Sequence, residues 1–182
     1  MSAVITEMQA WVSGLIVKYN ICPFARAEVE REGIRYVQAH NSNTELVLGL
    51  LIEECQWLDE HPETATTLVI LAHGFGDFYQ YLDVLDMANE LLALEGYEGI
   101  YQLASFHPDY CFADSPASDP ANFTNRAPYP VLHLLREADV SRVMQNAADA
   151  DDIVARNIDF ARRKGTTFFV QLLATCKQSQ HS

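Results

Sequence analysis

Three apolar runs in this chain each close on a histidine: IRYVQAH on His40, TLVILAH on His73 and IYQLASFH on His107. The histidines are 33 residues apart (40 to 73) and then 34 (73 to 107), the length of one strand plus one helix. That period predicts three consecutive parallel strands joined by helical crossovers. In such sheets ligands gather beyond the carboxyl ends of the strands, so the three imidazoles are expected along one functional edge.

The segments between these runs support the same architecture. Ile5, Met8, Val12, Leu15, Ile16 and Tyr19 keep a helical period that predicts an opening amphipathic helix ending near Asn20. Cys22 at a cap position and Pro23 in the first turn open a short second helix, which Gly33 is expected to close as its left-handed C′ residue. The capping box Ser42-Asn43-Thr44-Glu45 starts a helix over about residues 43–59, and Asp77 caps another that ends at Gly96. Strands are expected at residues 34–39, 68–72 and 100–105, the second covered on both faces because it is wholly apolar. Residues 106–129 hold no periodic segment and carry Pro108, Pro116, Pro120 and Pro128, so they predict a long loop. Its aromatic residues Phe106, Tyr110, Phe112, Phe123 and Tyr129 are expected to anchor it in an ordered form. Pro130 then starts a helix through Leu132, His133, Leu135 and Arg136, and two more helical stretches run to Gly165 with Ile153 and Ile158 turned inward. The β-branched and aromatic start of TTFFVQLLATC favours a fourth strand over a last helix. The fold class is therefore α/β: one domain with a short, mainly parallel sheet of three to four strands, flanked by helices, and a long ordered loop after the third strand.

With 182 residues, about half of them apolar, the chain can bury a full core without metal or disulfide staples. A balance of 12 basic against 25 acidic residues argues against attraction to nucleic acid or to an anionic membrane. The first residues carry no basic n-region, and no apolar stretch approaches the roughly 20 residues of a membrane span, so a cytoplasmic protein is expected. Four scattered cysteines form no C-x-x-C pair, which excludes a zinc ribbon or dithiol motif, and Gly74-Phe75-Gly76-Asp77 fits neither nucleotide-binding glycine pattern.

The strings NICPFAR, ASFHPDYCFAD and NRAPYPVLHLLRE resemble the signature blocks of a family of bacterial proteins, domain of unknown function 1415. The resemblance spans nearly the whole chain. It implies a bacterial, cytoplasmic, single-domain protein and brings no activity with it.

Three chemistries compete on the residues alone. His73, His107 and Asp109 supply ligands that suit zinc or ferrous iron, a divalent metal able to activate water. A histidine at a strand end is equally a plain boundary residue. Arg26, Arg126 and Arg136, with Asn125 and Tyr110, offer forked donors for a carboxylate or phosphate, and His133 and Arg136 would share a helix face. The same arginines suit salt bridges that hold the loop down. Cys22 beside Arg26 reads as an activated thiol with His107 or His133 as its base, or as a small buried hydrophobe. The leading expectation is an enzyme acting on a small anionic metabolite, with His107 as general acid/base and His133 its partner. The alternatives are a noncatalytic sensor of a metabolite or metal, and a structural homo-oligomer.

Overall fold

The computed structural model describes residues 2–146 and 150–178. Four strands, β1 (Ile34–Ala39), β2 (Thr66–Leu71), β3 (Tyr101–Phe106) and β4 (Val131–Arg136), form one sheet in the order β1-β2-β4-β3. β1 and β2 pair in parallel, with Ile34 opposite Thr66, while β4 runs antiparallel to both neighbours, placing His133 between Leu68 and Ala104. The α/β class holds, but the sheet is mixed rather than mainly parallel. The physical reason lies in the connection: the segment after β3 returns to the edge it left without a crossover helix, so the next strand must run back.

β4 occupies residues where a helix is expected from Pro130. VLHLLR is too short an apolar run for periodicity to separate helix from strand. Pro130 lacks only an N–H, and its carbonyl accepts the Leu71 N–H at 2.9 Å, so it serves the sheet as the residue before a strand.

Alternation divides the sheet into two faces. Val69 and Leu71 of β2 and Leu132 and Leu134 of β4 meet α3 (Thr44–Glu60) and α4 (Phe78–Leu94) through Leu51, Leu58, Tyr81 and Ala88. Leu68, Ile70 and Val131 meet α1 (Ala3–Trp11), a π-helical segment (Val12–Val17), α6 (Ala150–Lys164) and α7 (Thr166–Gln178) through Met8, Trp11, Leu15, Ala161 and Phe169. All six residues of β2 are buried, as its composition predicts. The tail is helix α7 rather than a strand, because Phe169, Leu172, Leu173 and Cys176 fall on one helical face against the second core. Burial there overrides the β propensity of Thr, Phe and Val.

The remaining elements are α2 (Ala25–Glu30) and α5 (Glu137–Asn146). Asn43 and Asp77 cap α3 and α4, accepting the N–H groups of Leu46 and Gln80. α2 ends differently from expectation: Glu32, not Gly33, takes the left-handed C′ position at φ 57°. The Gly33 N–H reaches the Glu28 carbonyl at 2.8 Å and the Glu32 N–H reaches that of Val29 at 3.3 Å, a Schellman pair. Gly33 itself keeps an ordinary φ, and a Cβ there would meet the tip of the Glu28 side chain, which would have to shift. Among the described residues no helix is long and apolar enough to cross a membrane.

Candidate functional site

His107 follows β3 directly, and alternation turns it to the α3/α4 face. The ring is fully buried, 5.2 Å from Phe78 and 5.1 Å from Tyr81 between centroids. Its Nδ1 accepts the Asp109 N–H at 3.0 Å, which fixes the proton on Nε2, and Nε2 donates to the Phe75 carbonyl at 2.9 Å. Burial pushes its pKa down, so the ring stays neutral. Both nitrogens are committed to the backbone, leaving neither free to move a substrate proton. Phe75 itself is buried with φ 56°, held between Gly74 and Gly76.

His133 projects from the opposite face. The Thr66 hydroxyl gives its one proton to the Leu134 carbonyl at 2.6 Å, so it accepts from His133 Nε2 at 2.7 Å. His133 Nδ1 is buried without a partner, and burial lowers the ring to about 4 from 6.5. With a folded-state pKa below the unfolded one, the unfolded chain binds a proton that the folded chain refuses between these values. Stability is therefore complete above pH 6.5 and declines as pH falls towards 4. Urea unfolding at pH 7.0, 5.5 and 4.5 is expected to show about 2 kcal/mol of that decline vanish in His133→Leu, after subtraction of the parent curve.

The pairing of His107 with His133 thus fails, because the sheet lies between them; the expected shared helix face of His133 and Arg136 is a strand. Arg136 stands at the other end of the sheet from His107, opposite Tyr101. Its Nε donates to the Thr64 carbonyl at 3.1 Å and its Nη2 to those of Leu58 at 2.7 Å and His61 at 3.1 Å. Arg126 donates to the carbonyls of Tyr110 at 3.0 Å and Ala117 at 3.1 Å and stacks 4.5 Å from the Phe123 ring. Asn125 donates to the Ser105 carbonyl, and its own carbonyl accepts the His107 N–H. These groups, with Tyr110 packed on Phe78 and Phe112, fasten residues 106–129 to the body of the fold. The arginine forks expected to grip an anion grip backbone instead.

Cys22 is exposed in the bend before α2, whose cap is Phe24, so it is neither the buried thiol nor the capping residue that its neighbours suggest. Arg26 is exposed on α2, with Nη2 3.4 Å from the Val17 carbonyl. His40 and His73 are exposed at the ends of β1 and β2. Among the described residues, no three of His, Cys, Asp and Glu gather where a metal ion would bind, the set of His73, His107 and Asp109 included.

The structure opens a cavity elsewhere. Gln9, Ser13, Glu28, Val29, Glu32, Ile34 and Tyr36 line a cavity of about 340 Å³, open to solvent on one side, between α1, the π-helical segment, α2 and β1. This is within the lower range of volumes that hold small ligands. The π-helical segment carries Ser13, whose carbonyl accepts the Lys18 N–H five residues on, at 3.2 Å, and such segments recur at functional sites. Burial pushes the Tyr36 phenol up to about 12, keeping its proton available for donation. Glu28 pairs with Arg31 at 2.6 Å, directly above Gly33, while Glu32 is exposed and forms no ion pair among the described residues. Helical and strand periodicity missed this site because it marks residues that face a core, not those that ring a void. One local signal was present: Glu32-Gly33 places an acid just where a helix stop favours glycine.

The model of a family described as protein of unknown function (DUF1415) matches residues 3–171. No curated protein and no solved structure matches the chain.

Proposed function

This chain belongs to the DUF1415 family, and we propose that it is a noncatalytic binding protein that takes a small amine-bearing ligand in the cavity between α1, α2 and β1. The observation that carries this reading is Glu32. A left-handed conformation costs a non-glycine residue about 1 kcal/mol, and glycine is the usual occupant of C′. Strain of that kind persists where the side chain has work to do, and this side chain borders the cavity. Glu28 and Glu32 would take the ammonium group, Gln9, Ser13 and Tyr36 would hydrogen-bond the rest, and Val29 and Ile34 form an apolar wall.

The test is calorimetric titration with 1,4-diaminobutane at low ionic strength. Binding that weakens about tenfold in Glu32→Gln and falls steeply with salt is expected; no heat, or equal affinity in Glu28→Gln, Glu32→Gln and the parent, overturns the reading. Glu32→Gly separates strain from function. It is expected to stabilise the fold by about 0.5–1 kcal/mol, a rise of roughly 2–4 °C in Tm, while binding the diamine as poorly as Glu32→Gln.

A further inference from the structure

Away from the cavity, three half-buried rings wall a corner of the surface. Tyr19 follows the π-helical segment, and Phe160 and Phe168 stand on α6 and α7, either side of the turn at Gly165. The Tyr19 and Phe160 rings lie 5.2 Å apart at 32°, and Phe168 stands across both, at 84° to Tyr19 and 89° to Phe160. The Lys164 ammonium sits over all three, 5.8 Å from Tyr19, 5.9 Å from Phe160 and 5.0 Å from Phe168. α6 ends at Lys164, so the negative end of its dipole points to the same place.

We infer that this corner is a binding site for a zwitterion carrying a trimethylammonium group beside an anion, with Lys164 as a tethered occupant that yields to it. A primary ammonium is compact and strongly hydrated, and at 5.0 to 5.9 Å from the three centroids Lys164 makes a cation–π contact with each ring. A trimethylammonium group is broader, sheds water at lower cost and presents methyl groups to every wall, the arrangement by which aromatic cages recognise quaternary amines. The anion is required by the neighbours. Lys18, 5.5 Å over Tyr19, and Lys164 would repel a bare cation but pair with a carboxylate or phosphate set next to it. The occupant in the cage and the basic rim therefore specify one ligand chemistry together.

The experiment follows the ring resonances of Tyr19, Phe160 and Phe168 by NMR while the intact protein is titrated with phosphocholine, glycine betaine, choline or inorganic phosphate. Saturable shifts of all three rings with phosphocholine or betaine are expected, with choline weaker and phosphate without effect on the rings. Phe168→Leu and Tyr19→Leu should each weaken phosphocholine about tenfold. In Lys164→Gln, which removes both competitor and repulsion, choline should gain and the advantage of phosphocholine over it should shrink. Vesicles of phosphatidylcholine distinguish the sources of the group: shifts with vesicles but not with free phosphocholine assign a lipid headgroup, and the reverse assigns a free solute. Rings that stay unmoved in both the parent and Lys164→Gln overturn the inference, as does phosphocholine binding that Tyr19→Leu leaves intact. The titration of the parent protein decides the question even where a leucine variant fails to fold.

Discussion

His107→Leu should lower the unfolding free energy by about 2–4 kcal/mol, read as a fall in the urea midpoint, while the surviving folded protein binds 1,4-diaminobutane as before. The buried imidazole donates to the Phe75 carbonyl away from solvent and accepts from the N–H of Asp109, whose side chain is exposed. Leucine fills much of the volume but answers neither group, and an unanswered buried polar group costs about 1–3 kcal/mol. The Phe75 carbonyl is left so outright, and the Asp109 N–H loses its partner nearer the surface. Phe75, strained at φ 56°, also loses the bond that holds its carbonyl, so the Gly74–Gly76 turn should loosen with it. A catalytic histidine behaves in the opposite way, because removing it commonly leaves stability unchanged or improved. An unfolding free energy within about 0.5 kcal/mol of the parent's would return His107 to the chemical candidates.

Arg136→Met is expected to cost about 3 kcal/mol and to speed hydrogen exchange at the end of α3 and in the turn that follows. One guanidinium answers the carbonyls of Leu58, His61 and Thr64, and lies 5.8 Å from the Tyr101 ring. The Tyr101 hydroxyl in turn donates to Asp59 at 2.6 Å, tying β3 into the same knot. The Leu58 and His61 carbonyls also accept the N–H groups of His61 and Thr64, so these charge-assisted bonds reinforce the turn that ends α3, here from a strand far along the chain. Methionine keeps the aliphatic length and removes the donors, so the loss reports the bonds rather than the packing. Exchange rates that change uniformly across the protein, instead of first at residues 58–64, would show that Arg136 is no local fastener.

Much of the frame was legible in the chain before any coordinates. Ile34–Ala39 is a strand over the residues its pattern marks, Asp77 carries its cap and Gly96 its left-handed turn, while α3 is capped by Asn43, one residue after the Ser42 that the capping box names. These features are local, so a few neighbouring residues determine them. The direction of β4 and the helical state of α7 are set by partners distant in sequence, and local propensity pointed the other way for both. The expected grouping of His107, His133 and Arg136 did not form for a related reason. Placing His133 on a helix put it beside Arg136 on one face, whereas one residue of strand alternation decides which side of the sheet an imidazole occupies. The arginines were rightly singled out as rare and well placed, but rarity cannot distinguish a fork that awaits a ligand from one already holding three carbonyls.

The insertion of β4 between β2 and β3 also governs the order of assembly. As the polypeptide leaves the ribosome, β1 and β2 can zip together early, but β3 emerges with no ladder to join until residues 131–136 follow it out. For that interval Leu103 and its neighbours present an unpaired border to solvent, and Val69 awaits Leu132 on the other side of the gap. The nascent chain's most vulnerable moment therefore falls between translation of the third and fourth strands. A ribosome pause placed there should increase misassembly more than one placed anywhere earlier.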